Sequence, residues 1–310
     1  MLDVNQTIVT FFIVKGISEA PELQLPIFIL VLLIYLITLG GNMLILLLIC
    51  LDHHLHTPMY FFLANLSVVD VSSCTVALHR ILLTFITKNN TVGSVEFMIQ
   101  CFMFGSLSGH ELFILTAMSW DRYVAICRPL SYHAIMNFRA CAMLASFCWL
   151  FGFIQVLPYS ILMAQITCFS SNEINHFCCD LIPVMEIACS DISLLEALTY
   201  IQGLILFIIA PFCFTFISYL FIIITILKIR SNTGRRKAFY TCSSHLTVII
   251  LLYTTLIYQT IPNIGLGSAK LLSLFNTAGI PMLNPILYSL KNKDVKSALR
   301  RGWATIGNNL

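Results

Sequence analysis

The sequence predicts an all-α membrane protein folded as a seven-transmembrane helix bundle, on three observations. Of its 310 residues, 58% are hydrophobic and only 10% are charged, too few to cover a water-facing surface. Long apolar segments reach the roughly 20 residues that cross a bilayer as a helix. The basic residues collect on one side of the predicted membrane, so the net charge of +3 reflects topology and not nucleic-acid binding.

The seven spans follow from the distribution of charged residues. Five runs contain no Asp, Glu, Lys or Arg: 23–51, 140–172, 197–227, 238–269 and 271–290. Two further apolar segments are interrupted by charges: 58–87, with Asp70 and Arg80, and 97–126, with Glu111, Asp121 and Arg122. These segments are apolar all round and do not alternate, so helices are predicted and not the strands of a barrel.

An extracellular N-terminus places most positive charges on the cytoplasmic side, as the positive-inside rule requires. All of the 17 Lys and Arg then lie at the cytoplasmic face except Lys15, Arg80, Lys88 and Lys270. We therefore predict an extracellular segment over 1–22, the bundle over 23–290 and a cytoplasmic tail over 291–310. No cleavable signal peptide is predicted, and the first span serves as the insertion signal.

Two features are predicted outside the bundle. Asn5 and Asn89 begin glycosylation sequons on the extracellular side, although such tripeptides also arise by chance. Residues 291–301 predict a short amphipathic helix on the inner membrane surface, with a frayed basic tail as the alternative.

Polar side chains inside the spans are expensive and therefore mark candidate sites. At 1.5 Å per residue, Asp70 lies about 18 Å above the start of its span, and Glu111 about 15 Å above the inner end of its own. Asn42 and Asn284 fall in the same half of the bundle. Two carboxylates brought together there need a cation, such as sodium, or a shared proton. The alternative is hydrogen bonding that only joins helices.

Asp121 and Arg122 lie at the cytoplasmic edge, where an arginine can reach water or pair with the neighbouring acid. A charge at this edge can exchange partners, so the pair is a candidate switch. Pro285 removes a backbone hydrogen bond from the last span and can kink it. His110, beside Glu111, points to another face and is predicted to be a packing residue.

Two other functional classes are weaker. A transporter or channel could conduct through Asp70 and Glu111, but the two halves of the chain show no paired repeat and no matching helix breaks. An intramembrane enzyme has no support from hydrolase or metalloprotease motifs. We therefore predict that the chain is not an enzyme and has no cofactor besides a sodium ion as allosteric modulator.

Several motifs together resemble the olfactory receptors, a branch of the rhodopsin-like (class A) G-protein-coupled receptors. They are Gly41-Asn42, LHTPMYFFLANLSVVD (55–70), MSWDRYVAICRPLSYH (118–133), Ser218-Tyr219, KAFYTCSSHLTVI (237–249) and PMLNPILYSLKNKDV (281–295). The resemblance covers nearly the whole chain.

The resemblance implies a multi-pass receptor of the plasma membrane that binds a small odorant in its outer half. It also implies that the receptor activates a stimulatory, olfactory-type heterotrimeric G protein and raises cyclic AMP. In that picture Asp121 restrains Arg122 at rest. On activation Arg122 turns to tyrosines such as Tyr219 and Tyr288, and Asn284-Pro285 belongs to the same switch.

Alignment on Asp121-Arg122 implies a largely apolar ligand site. Its residues are Phe104, Gly105, Ser108, Leu112, Gln202, Leu206, Tyr253, Leu256, Ile257, Thr260 and Ala278. Phe104 stands where amine receptors carry an acid, so a neutral ligand with one or two hydrogen bonds is expected. For any single residue of this set, ordinary helix packing is the alternative.

The resemblance also implies two disulfides in the oxidising outer compartment. Cys168 pairs with Cys189, and Cys179 pairs with the third helix. The family places its third-helix cysteine where this chain has Phe97, and the nearest thiol is Cys101, about 6 Å deeper. Cys101 can reach Cys179, or the additional Cys178, only if the loop dips into the bundle.

Overall fold

The computed structural model describes residues 9–18, 20–178, 180–259, 266–291 and 293–307. These residues form the predicted helix bundle, with α1 to α7 as the spans and α8 on the inner side. The elements are α1 (Pro21–Leu51), α2 (Pro58–Thr87), α3 (Ser94–Cys127), α4 (Phe138–Ala164), α5 (Ser193–Lys228), α6 (Asn232–Gln259), α7 (266–291) and α8 (Lys293–Gly307). Each of α1 to α5 is long and apolar enough to cross a membrane. The two halves of α6 are bent by 44° relative to each other, and α6 meets the same criterion if they are counted as one span.

Local sequence explains where several helices begin. Prolines in the first turn, Pro21 and Pro58, open α1 and α2, because the amide hydrogen that proline lacks has no intrahelical partner there. Asn137 caps α4, and its side chain accepts a hydrogen bond from the amide of Ala140 at 3.0 Å. The charge-free run of the sequence continues to 172, beyond the end of α4 at Ala164, because the following loop residues are also uncharged.

Two helices contain a π-helical segment shortly before a proline. The segment Thr199–Ile209 of α5 precedes Pro211, and Phe275–Gly279 of α7 precedes Pro281; both are wound as π-helix. Proline cannot donate to the carbonyl four residues earlier, so the preceding turns lose their regular register. The first segment lies in the outer half of α5, and the second lies near the middle of α7.

A small sheet covers part of the outer end and was not predicted. Its central strand is β1 (Phe11–Val14), which pairs antiparallel with β2 (Thr91–Gly93) and parallel with β3 (Glu173–Ile174). The N-terminal segment is thereby joined to the first and second outer loops. Phe12 of β1 packs on Phe97 of α3 with ring centroids 4.9 Å apart.

Polar contacts fasten this outer cap to the bundle. Lys15 pairs with Glu173 at 2.9 Å. The buried Lys270 of α7 donates to the Gly16 carbonyl at 3.0 Å and to Asn175 Oδ1 at 2.7 Å. One lysine thus connects α7 with the N-terminal segment and the second outer loop.

The inner-surface helix predicted over 291–301 is observed as α8. Val295 and Ala298 are buried against the bundle. Arg301 pairs with Asp52 of the first inner loop at 2.5 Å, and Tyr60 donates to Asp294 at 3.2 Å. The Arg301 guanidinium, as hydrogen-bond donor, lowers the pKa of Asp52 below its ordinary value.

Candidate functional site

Asp121 and Arg122 form an ion pair at the inner end of α3, with Asp121 Oδ2 and Arg122 Nη2 3.0 Å apart. The contact is not an aligned hydrogen bond. Tyr132, in the short inner-loop helix Tyr132–Ile135, donates to the other oxygen of Asp121 at 2.8 Å. Burial, and then the nearby Asp121 charge, raise the pKa of Tyr132 above its ordinary value, so this hydroxyl stays a donor.

Tyr219 and Tyr288 are both buried near this inner end. The Tyr219 hydroxyl is hydrogen-bonded to His245 Nδ1 at 2.7 Å and so joins α5 to α6. The Tyr288 hydroxyl has no hydrogen-bond partner among the described residues. Sequence reasoning did not assign roles to Tyr132 or His245, although each lies in a quoted motif.

The polar residues of the inner half are brought together. Asn284 donates to Asp70 Oδ2 at 2.9 Å, which joins α7 to α2. Asn42 donates to the carbonyl of Pro281 at 3.2 Å, which joins α1 to α7. Glu111 lies close enough to Asp70 for electrostatic interaction. Depth along each helix therefore predicted this cluster correctly as a meeting of spans.

Buried oxygens in this cluster suit a small hard cation. Asp70 Oδ1, Glu111 Oε1 and Asn284 Oδ1 are buried without a hydrogen-bond partner among the described residues. Carboxylate, amide and hydroxyl oxygens are the ligand types that hard cations prefer. Within the described part of the chain, no three His, Cys, Asp or Glu side chains form a metal-binding group.

Pro285 packs closely against α1. A Cβ built on Gly41 would lie 2.8 Å from Pro285 Cγ, so only glycine permits this approach without a shift. The Gly41-Asn42 pair thus holds α1 against the segment of α7 that contains Pro281 and Pro285.

A central cavity of about 110 Å³ lies between α2, α3, α6 and α7. Predicted residues that line it are Phe104, Ser108, Leu112 and Leu256. Its wall also contains Ser73, Glu111, Asp180, Ser273, Asn276 and Thr277, of which only Glu111 was singled out in the sequence, as an ion ligand. The cavity therefore adjoins the polar cluster at Glu111.

A side cavity of about 250 Å³ lies between α3, α4, α5 and the second outer loop. Phe104, Gly105 and Ser108 line it from the predicted set. The α4 residues in its wall are Gln155, Val156, Tyr159, Ser160 and Met163, and sequence reasoning had assigned none of them. A Cβ built on Gly105 would lie 3.4 Å from Val156 Cγ1, an ordinary van der Waals contact.

The remaining predicted ligand residues lie elsewhere. Tyr253 is buried edge-on against Phe212, with ring centroids 5.1 Å apart. Ala278 packs with Val31, Cys74 and Leu78, and Ile257 is 45% exposed.

Three predicted contacts on α5 and α6 complete this comparison. Gln202 donates to the Gln155 carbonyl at 3.0 Å and joins α5 to α4. The side chain of Leu206 and the whole of Thr260 lie outside the described part of the structure.

The second outer loop contains the cysteines that were expected to form disulfides with each other or with α3. Cys168 and Cys189 form a disulfide, with Cα atoms 5.2 Å apart. Cys179 lies outside the described residues, but its neighbour Asp180 lines the side cavity together with Cys101. Cys178 is buried in a different cluster, with Ala77 and Phe177.

Of the two asparagines that begin the predicted glycosylation sequons, one lies in the described part of the structure. Asn5 lies outside the described residues. Asn89 is exposed, and its side-chain oxygen accepts a hydrogen bond from the Thr91 hydroxyl at 2.7 Å.

Comparison with known proteins agrees with this architecture. The family model described as "Olfactory receptor" matches residues 31–304. Human olfactory receptor 6C3 is 41% identical over 299 residues, covering 96% of both chains. Mouse olfactory receptor 8G50 is 41% identical over 306 residues, again covering 96% of both chains. Chicken olfactory receptor-like protein COR5 is 42% identical over 304 residues, covering 97% of both.

A match over this much of the chain, at this identity, identifies the family. It confirms the predicted seven-helix fold, the multi-pass location in the plasma membrane and the assignment to a class of receptors instead of enzymes. The chain belongs to the olfactory receptor family, whose members are G-protein-coupled receptors that sense odorants.

Proposed function

We propose that this receptor binds a small neutral odorant in its outer half and activates a stimulatory, olfactory-type heterotrimeric G protein, raising cyclic AMP. One observation carries the proposal: two adjoining cavities, of about 110 and 250 Å³, lie on the outer side of the Asp121–Arg122 ion pair, to which Tyr132 donates a hydrogen bond. A cavity and a breakable inner contact on the same helix are what a ligand-operated switch requires.

The ligand site consists of the cavity walls around Phe104 and Ser108, which both cavities share. No Lys or Arg lines either cavity among the described residues. A ligand there gains affinity from apolar contact area and a few hydrogen bonds. The predicted residues Leu112 and Leu256 supply part of that area.

The switch operates by exchange of partners at Arg122. At rest the guanidinium faces Asp121, and Tyr219 is held by His245. Outward motion of α6 separates His245 from Tyr219 and frees that hydroxyl for Arg122, while Tyr288 approaches on α7. Asn284 and Pro285 connect this movement to Asp70.

A sodium ion at Asp70 and Glu111 acts as an allosteric modulator in this proposal. The support is the set of buried oxygens without partners described for these residues. A cation there balances two carboxylates that otherwise repel each other.

Two covalent features complete the proposal. Cys101 pairs with Cys179, because Asp180 brings the loop to the cavity that Cys101 lines. Asn5 and Asn89 carry glycans, and Asn89 is accessible for one.

The test measures cyclic AMP in cells that express the receptor with an olfactory-type G protein, against a panel of neutral odorants. Arg122→Ala should abolish the response, with surface staining unchanged. Arg139→Ala is the matched control, since Arg139 is exposed at the inner end of α4. A normal response from Arg122→Ala would refute the switch, and a response only through another G-protein class would refute the coupling.

A further inference from the structure

The central and side cavities share three wall residues, Phe104, Ser108 and Asp180. The two cavities therefore adjoin each other at these residues. The two spaces differ in chemistry, and the difference specifies what each end of a ligand that occupies both must carry.

Two hydroxyl groups in the wall of the central cavity offer a ligand only acceptor positions. The hydroxyl of Ser108 donates to the Phe104 carbonyl at 2.9 Å, and that of Thr277 donates to the Ser273 carbonyl at 2.8 Å. Each hydroxyl hydrogen is thereby occupied, so only oxygen lone pairs remain for a ligand.

Two carboxyl groups reinforce this acceptor character. Glu111 is 6% exposed, and its Oε1 has no hydrogen-bond partner among the described residues. Asp180 enters the cavity wall from the outer loop. A buried acceptor without a donor is costly, so a donor group on the ligand relieves that cost. A ligand carboxylate would face two acids and is disfavoured.

The side cavity is lined chiefly by carbon. Val156, Tyr159, Met163 and Leu181 form its wall, and Gly203 leaves space, because a Cβ there would meet only the Tyr159 hydroxyl at 3.8 Å. An alkyl chain in this space gains about 0.8 kcal/mol per buried methylene.

We propose that the ligand class is the medium-chain aliphatic alcohols. The hydroxyl donates to Glu111 or Ser108 in the central cavity, and the chain passes Phe104 into the side cavity. A hydroxyl supplies the donor with a far smaller desolvation cost than an ammonium group, which favours the alcohol over the amine. This inference rests on the proposed function, in that it assumes these cavities are the ligand site.

The test compares head groups on one chain length. Purified receptor in lipid nanodiscs is titrated with 1-octanol, octanal, methyl heptyl ether, octylamine and octanoate, and its melting temperature is measured. A hydrogen bond to a charged or buried acceptor predicts that octanol acts at concentrations roughly tenfold to a hundredfold lower than the ether. Equal potency of octanol and ether, or higher potency of octylamine or octanoate, would overturn the alcohol assignment.

Variants locate the two ends of the ligand. Ser108→Ala should weaken octanol binding several-fold and leave binding of the ether unchanged. Ser72→Ala, at a half-buried position of α2 that lines neither cavity, should change neither. Gly203→Leu should move the preferred alcohol to a shorter chain, since it fills the side cavity. An unchanged chain-length preference would place the alkyl chain elsewhere and refute the proposed pose.

Cyclic AMP measured on the same compounds separates this inference from the proposed function. If octanol stabilises the receptor without raising cyclic AMP, the result supports the ligand class and contradicts the proposed coupling. A cyclic AMP rise with ketones or esters but not alcohols keeps the receptor function and overturns the ligand class. If none of the five compounds changes the melting temperature, the cavities are not the ligand site, and both the ligand class and the proposed ligand site are wrong.

Discussion

Replacing Tyr132 by phenylalanine tests the inner contact of the receptor by removing one hydroxyl group and keeping the ring. That hydroxyl donates to Asp121 Oδ1 at 2.8 Å. The Asp121 side chain is 0% exposed, so the oxygen that loses its donor has no access to water. A hydrogen bond to a charged group contributes roughly 1.5 to 3 kcal/mol, and the lower end applies because Tyr132 is only half-buried.

A loss of about 1.5 kcal/mol confined to the resting state moves the equilibrium about tenfold toward the active state. Basal cyclic AMP, normalised to surface receptor, should therefore rise by up to about tenfold in Tyr132→Phe. Tyr200→Phe, exposed at the outer end of α5, is the matched control and should leave the basal signal unchanged. Normal surface expression of Tyr132→Phe with an unchanged or lower basal signal would refute the reasoning that this contact restrains the resting receptor.

Three further changes test other parts of the structure. Asp70→Asn should remove the dependence of the ligand response on external sodium, and a mutant that keeps this dependence contradicts the ion site. Gly152→Ala should destabilise the receptor by about 1 to 3 kcal/mol in thermal unfolding, because the new Cβ would lie 2.7 Å from the His110 ring; Gly40→Ala, with no atom within 4 Å, is the control. Cys101→Ser should expose a loop thiol to maleimide labelling on intact cells, and unchanged labelling argues against the second disulfide.

The spans could be predicted because their signals are local. A charge-free run of sufficient length needs no knowledge of the rest of the chain, and α2 has the predicted bounds, 58–87. The outer sheet could not be predicted in this way. Its strands contain only two to four residues each and come from three distant segments, so their pairing depends on how the loops fold together.

The candidate site also contains contacts that could be predicted from the sequence and contacts that could not. Asp121 and Arg122 are adjacent in sequence, and Asp70 meets Asn284 at a depth that helix geometry supplies. His110 was expected to be a packing residue, and its Nε2 donates to the Trp149 carbonyl at 2.7 Å. By contrast, nothing local to Tyr132 indicates its contact, because the turn that follows α3 positions it.

Glu111 gives a physical reason to expect communication between the two halves of the receptor. It lines the central cavity and also interacts electrostatically with Asp70, which Asn284 ties to α7. A ligand donor bonded to Glu111 and a cation beside Asp70 would compete for the same negative charge. Thermodynamic linkage then requires that sodium weaken the ligand by the same factor by which the ligand weakens sodium. An equal weakening of ligand binding by sodium and of sodium binding by the ligand, with both effects lost in Glu111→Gln, would establish that this side chain carries the coupling.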